Sequence, residues 1–287
     1  MSSTAPTGYA PSAGPPPPES GPGWPRWLVA LTVVWGVLLA GLTWHSARND
    51  PPTVREQRTM AQAMPRVEAA IGELVAAASG TVYALAPAEF EQGCRVTPFA
   101  DGAILRRHVE LAVPAGEERA VLERVAEGLP STWRAGVRLT SDGPRLRADA
   151  GEFVTVSGRT VADGRVRLSV ETGCRPADAV LASLLPEYPR GPESAALSAA
   201  LSALGVQAGG PDELMQVACP SGGVARTRRA DVAAAAQSPQ AALAPLAGGT
   251  PVVATDQLYA YRHDGVAVLV ELYEDRTVLA ATTGCAD

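Results

Sequence analysis

Two short runs decide the fold: Val170-Glu171-Thr172-Gly173-Cys174 and Ala281-Thr282-Thr283-Gly284-Cys285. Both close on Thr-Gly-Cys. Working back from each, Glu89-Phe90-Glu91-Gln92-Gly93-Cys94 resembles Glu213-Leu214-Met215-Gln216-Val217-Ala218-Cys219, which is one residue longer. Before these come Arg66–Ala78 and Glu193–Leu204, whose apolar residues recur at the three- and four-residue spacing of a half-buried helix. After them come strand-like runs with paired arginines, Ala103–Val113 and Val224–Val232, and then second helices, Glu117–Leu129 and Pro239–Leu246.

Each copy then closes with consecutive strands. The first has Ala135–Leu139, Arg145–Ala148, Glu152–Val156 and Arg165–Glu171. The second has Pro251–Ala254, Gln257–Arg262, Val266–Leu272 and Thr277–Thr282. Asp142-Gly143, Asp163-Gly164 and Asp264-Gly265 supply the positive-φ chemistry of tight reversals. Strands joined by tight reversals pair antiparallel, so the fold class is α+β: two similar modules, each an antiparallel sheet with helices on one face. The boundaries expected are 65–175 for the first module, 176–192 for a proline-containing linker, and 193–287 for the second. Within the linker, Ala177–Leu185 has the composition of a short helix.

Four cysteines allow three pairings, and the duplication selects one. Cys94 pairs with Cys174 and Cys219 with Cys285, each bond tying an early strand to its module's last strand. Loops of this length stabilise by about 3–5 kcal/mol in the chain-entropy view. The cysteines are isolated, with no Cys-x-x-Cys and no clustered histidine, so no metal site is expected.

The other end of the chain has a different character. Residues 1–26 are rich in Pro, Gly and Ser, with eight prolines before Arg26, and bury too little to offset their ordering entropy. A disordered tail is expected there. Trp27–Trp44 follows, eighteen residues without a charge, which as a helix spans about 27 Å and is flanked by tryptophans at interface depth. It reads as a transmembrane helix, with 45–64 as a juxtamembrane linker. Gly36 and Ala40 form a small-x-x-x-small pair that suits close helix approach.

Arg48, Arg55 and Arg58 follow the helix while only Arg26 precedes it, which favours a cytoplasmic body. Long domains translocate largely regardless of such charges, and paired cysteines point to an oxidising compartment. A short cytoplasmic tail and an extracytoplasmic body are expected, with the bilayer as partner through 27–44.

All 24 basic residues are arginine. Without lysine, phosphate-loop hydrolases, protein kinases, Schiff-base enzymes and Ser-x-x-Lys acylases are excluded, and a net charge of −6 argues against nucleic acid as a partner. No serine-hydrolase elbow and no His-Glu-x-x-His is present. His108 and His263 are the histidines available to a folded external site, and the carboxylates of Glu171 and Glu271–Asp275 lie on or near final strands. These read more simply as surface groups than as a catalytic pair, so no catalytic residue and no cofactor is assigned.

The repeated polar feature is arginine: Arg106 and Arg107 in the first module, Arg226, Arg228 and Arg229 in the second. Guanidinium forks suit phosphate and carboxylate groups, and the competing use is pairing with acids of their own module.

The Pro-rich head, the Trp-flanked helix, Pro-Pro-Thr-Val-Arg-Glu-Gln-Arg at 51–58, and the Gly-Cys-Arg and Thr-Gly-Cys-Arg elements at 93–95 and 172–175 together resemble single-pass, membrane-anchored envelope proteins of high-GC Gram-positive bacteria. The resemblance covers most of the chain. No activity is assigned to that group, so it implies no functional residue. The function expected is a non-catalytic, membrane-tethered extracytoplasmic module that binds an envelope polymer or another membrane protein. An envelope hydrolase with a carboxylate or histidine site, and a structural or assembly role, are the alternatives.

Overall fold

A computed structural model describes residues 25–49, 59–176, 191–234 and 238–285. The expected tail, the 50–58 segment and the Ala177–Leu185 helix fall outside the described residues. The chain divides into an N-terminal unit, Met1–Thr53, and a body, Val54–Asp287.

The N-terminal unit holds one helix, α1 (Arg26–Asn49). Its tryptophans and valines, and its leucines beyond Leu28, are exposed, and Thr32 and Thr43 donate their hydroxyls to the carbonyls of Leu28 and Leu39 at 2.9 and 2.7 Å. Such back-bonding removes polar atoms that hydrocarbon would leave unsatisfied. The window Arg26–His45 is long and apolar enough to cross a membrane, a property shared by membrane anchors and signal sequences.

In the body, α2 (Met60–Ala77) precedes β1 (Val82–Leu85), β2 (Glu89–Thr97) and β3 (Ala100–Ala112). Next come α3 (Glu118–Gly128), a 3-10 turn at Ser131–Trp133, and β4 (Gly136–Thr140), β5 (Gly143–Gly151), β6 (Val154–Ala162) and β7 (Arg165–Glu171). The second half has α4 (Pro192–Leu204), β8 (Glu213–Ala218), β9 (Val224–Ala233), α5 (Pro239–Ala247), β10 (Val253–Ala254), β11 (Leu258–His263), β12 (Val266–Leu272) and β13 (Arg276–Thr283).

Both sheets are antiparallel. The first runs β1-β3-β7-β6-β5-β4 with β2 also on β3, and the second runs β10-β11-β12-β13-β9-β8. Strand for strand, β2 through β7 occupy the places of β8 through β13. The helices follow suit: α2 and α4 precede the paired set, and α3 and α5 interrupt it at the same point. Cys94 is bonded to Cys174 and Cys219 to Cys285, and every described cysteine is paired.

α2 begins at Met60, ahead of the expected Arg66, because Thr59 and Gln62 form a capping box that satisfies the first amides. Val67, Ala70, Ile71, Leu74 and Val75 then face the core. That core joins α2 and α3 to the inner residues of the first sheet, Leu105, Val109, Leu111, Leu146, Val156 and Leu168 among them. A separate core lies between α4, α5 and the second sheet, with Leu197, Leu204, Leu243, Tyr259, Val268 and Leu279.

β1 has no counterpart in the second half. It pairs with β3 beyond the point where β2 stops, and Pro87, which has no amide proton to donate, separates the two strands. Tyr83 and Leu85 join the α2 core, while Val82 and Ala84 pack with Val253, Leu258, Ala260 and Leu269 of the second sheet. The two halves therefore share buried surface. α2 also reaches β8, where a Cβ on Gly72 would lie 2.3 Å from the carbonyl oxygen of Ala218, so only glycine fits. Arg165 and Glu271 form a 2.6 Å ion pair between the halves.

Candidate functional site

The helices cover one face of the first sheet. On the other, β1 and the end of β3 pack against the second sheet, Arg165 at the start of β7 pairs with Glu271 there, and β4, β5 and β6 present exposed side chains. Directly opposed residues of an antiparallel pair point to the same face, so the register builds a grid there. The first row reads Arg138, Arg145, Arg159, Arg167, Glu110 across β4, β5, β6, β7 and β3. The second reads Gly136, Arg147, Ser157, Ser169, His108, and the third, starting at β5, reads Asp149, Thr155, Glu171, Arg106, Glu89.

Four arginines in adjacent register positions repel one another. Two are neutralised: Arg167 bonds Glu110 at 2.5 Å and Arg145 bonds Asp142 at 3.1 Å. Arg138 and Arg159, together with Arg147 in the next row and Arg134 beside β4, are exposed, and their side chains have no hydrogen-bond or ion-pair partner among the described residues. Each presents its N–H donors to solvent on the open face.

The surface is concave there. A cavity of ≈ 650 Å³ is lined by Arg134, Arg138, Arg145 and Arg147 with Gly136 and Asp142. Gly136 has nothing within 4 Å of where a Cβ would stand, so it opens the space between the guanidiniums. A second cavity of ≈ 520 Å³ shares Arg134 and Arg147 and continues to Asp149, Thr155, Ser157 and Glu171. The two make one trench, with arginines at one end and carboxylates and hydroxyls at the other.

The five arginines singled out by sequence are dispersed. Arg106 lies on the open face and is bonded to Glu91 and, at 2.7 Å, to Glu171. Those hydrogen bonds hold its guanidinium above the ordinary arginine range. Arg107 points to the helix face and pairs with Glu68 on α2. Burial pushes the Glu68 carboxyl above the usual carboxylate range, and Arg107 pulls it the other way. Arg226 and Arg228 share a face of β9; Arg228 pairs with Asp212 at 2.5 Å and Arg226 is also partnered. Arg229, on the opposite face of β9, lies 3.4 Å from Asp231.

The unpartnered set of Arg134, Arg138, Arg147 and Arg159 was not singled out by sequence. For Arg147 the signal is alternation, since Arg145-Leu146-Arg147 puts two arginines on one strand face; Arg134, Arg138 and Arg159 carry no such local mark.

His108 lies at the end of the second row, 7% exposed. Its Nδ1 is 2.8 Å from the Ser169 hydroxyl and its Nε2 is 3.3 Å from Glu89. His263 is at the β11–β12 turn, 3.4 Å from Asp264 and exposed. Glu271 is engaged by Arg165 and by the Tyr273 hydroxyl at 2.8 Å. Among the described residues no three His, Cys, Asp or Glu side chains are placed to hold a metal ion.

No family model and no curated protein matches the chain. Among solved structures, a DUF4853 family protein from Actinomyces odontolyticus is similar over 58% of this chain and 89% of that one, with 12% identity and a TM-score of 0.33. Likeness at that level assigns neither family nor activity.

Proposed function

We propose that this chain is a membrane-tethered, extracytoplasmic, non-catalytic binding module whose open first-sheet face takes an anionic ligand. The observation that carries the reading is a concave patch in which Arg134, Arg138 and Arg147, exposed and without side-chain partners among the described residues, stand beside Arg145, with Arg159 next to Arg145 in the register. Opposed like charges cost a few tenths to about 1 kcal/mol per pair, and a sheet accepts that more readily where an anion relieves it. Guanidinium forks match phosphate and carboxylate oxygens. The disulfides support an oxidising compartment, and the apolar helix supports a tether through 27–44 with a short cytoplasmic tail. The candidate partners are thus the bilayer and an envelope polymer or membrane protein with exposed acidic groups.

Calorimetric titration of pyrophosphate into the full chain in neutral-lipid nanodiscs tests the binding claim. Wild type binds, affinity falls as sodium chloride rises, and the triple variant Arg138→Gln/Arg147→Gln/Arg159→Gln loses at least tenfold. Equal affinity in the triple variant overturns the reading.

A second reading, an envelope hydrolase, has one observation in its favour: the Ser169–His108–Glu89 chain has the group order of an activated serine. Against it, Ser169 sits mid-strand between β6 and β3, where its backbone groups are committed to the sheet rather than free to hold an oxyanion. Labelling by a fluorophosphonate that Ser169→Ala abolishes supports a hydrolase; an unlabelled wild-type protein removes it.

A further inference from the structure

The trench is chemically two-ended, and the two ends want different things from one ligand. At the arginine end, Arg134, Arg138, Arg145 and Arg147 face a single carboxylate, Asp142, which Arg145 already engages. That end asks for negative charge. At the other end, Asp149 uses Oδ1 to accept from the Gly151 amide at 2.8 Å, and Glu171 uses Oε2 to accept from Arg106. Each keeps a second oxygen; the exposed hydroxyl of Thr155 lies between them in the register, and that of Ser157 stands one row back on the same face, opposite Arg147. That end offers acceptors and weak donors, the complement of a hydroxylated ligand, and it repels a second anion.

Arg147 and Asp149 are two residues apart on β5, so the change from one chemistry to the other takes about 7 Å along the strand. That is the breadth of a single sugar ring or a short polyol. Inorganic anions satisfy only the first end, and a uniformly charged polymer meets Asp149 and Glu171. A neutral glycan leaves the guanidiniums unused.

We infer that the ligand is a sugar or polyol bearing a phosphate or carboxylate group, bound with the acid among Arg134, Arg138, Arg145 and Arg147 and the hydroxyls against Asp149, Thr155, Ser157 and Glu171. The inference rests on the anion-binding reading and specifies it. Nothing in it requires catalysis.

The test is calorimetry on the full chain in neutral-lipid nanodiscs with four probes: glucose 6-phosphate, glucuronate, pyrophosphate and glucose. At least one sugar acid binds tenfold or more tighter than both pyrophosphate and glucose. In Asp149→Asn/Thr155→Val/Ser157→Ala the sugar-acid preference collapses to the pyrophosphate level, while pyrophosphate itself binds at least as tightly as before, since the variant removes a negative charge, which also reports an intact face. Pyrophosphate binding at least as well as both sugar acids, with no response to that variant, overturns the inference and leaves the anion-binding reading standing. Glucose binding as tightly as the sugar acids overturns it as well. Failure of all four probes overturns both.

Discussion

Replacing Arg159 with threonine separates a residue kept for binding from one kept for the fold. Arg159 stands in register between Arg145 on β5 and Arg167 on β7. Guanidiniums about 6 Å apart in a water-like dielectric repel by about 332/(80 × 6), near 0.7 kcal/mol per pair. Two neighbours give about 1.4 kcal/mol, and the carboxylates of Asp142 and Glu110, together with salt, reduce this to about 0.5–1 kcal/mol. Arg159→Thr is therefore expected to stabilise the body, raising the calorimetric midpoint of the full chain in detergent by about 1–4 °C at low ionic strength. The gain should fade in 1 M sodium chloride, where the Debye length is about 3 Å.

The neighbouring substitution, Arg167→Thr, is expected to have the opposite sign. It removes the hydrogen-bonded partner of Glu110, whose side chain is 13% exposed, and leaves only the more distant charge of Arg165, at a cost of about 1–3 kcal/mol. The reasoning is refuted if Arg159→Thr lowers the midpoint at low salt. A rise that persists unchanged in high salt also refutes it, because that is strand propensity and not charge.

Other outcomes follow from packing and burial. Replacing Cys94 and Cys174 by serine opens an 80-residue separation and replacing Cys219 and Cys285 opens one of 66; denaturant unfolding should show losses of about 4–5 kcal/mol for each pair, nearly equal because the loop term is logarithmic. Gly72→Ala drives a methyl into the Ala218 carbonyl, and calorimetry should find about 1–3 kcal/mol lost, against little change for Gly136→Ala in the open trench. Burial pushes the phenols of Tyr83 and Tyr261 up to about 12 from the ordinary 10, with Arg262 opposing the shift at Tyr83. The unfolded chain therefore loses these protons first. Stability present below pH 10 should fall between pH 10 and 12 by about 1.4 kcal/mol per unit for each phenol, and Tyr83→Phe or Tyr261→Phe should flatten that decline in denaturant titrations.

Much of the architecture was legible because it was written twice. The Thr-Gly-Cys ends and the spacing back to Cys94 and Cys219 carried the pairing of the disulfides and the repeated order of helices and strands. β1 was not legible. All four of its residues are buried, since one face meets α2 and the other the second sheet, and a strand covered on both sides loses the alternation that marks a strand in sequence. The open face was half legible. Alternation places Arg145 and Arg147 on one side of β5, but a guanidinium's partners depend on the register with β4 and β6, which lies outside any local pattern. Adjacent arginines such as Arg106 and Arg107 draw the eye in sequence, yet successive strand residues point to opposite faces, and each of these two meets its own carboxylate.

The most direct measurement is arginine footprinting of the full chain in neutral-lipid nanodiscs with phenylglyoxal, read by peptide mass spectrometry with and without glucose 6-phosphate. Arg134, Arg138 and Arg147 should react fast and be protected together by the ligand, while Arg106, Arg107 and Arg228 stay slow in both conditions because carboxylates hold them. Protection confined to Arg106, Arg228 or Arg229, or no protection of the trench at any ligand concentration, would contradict the account.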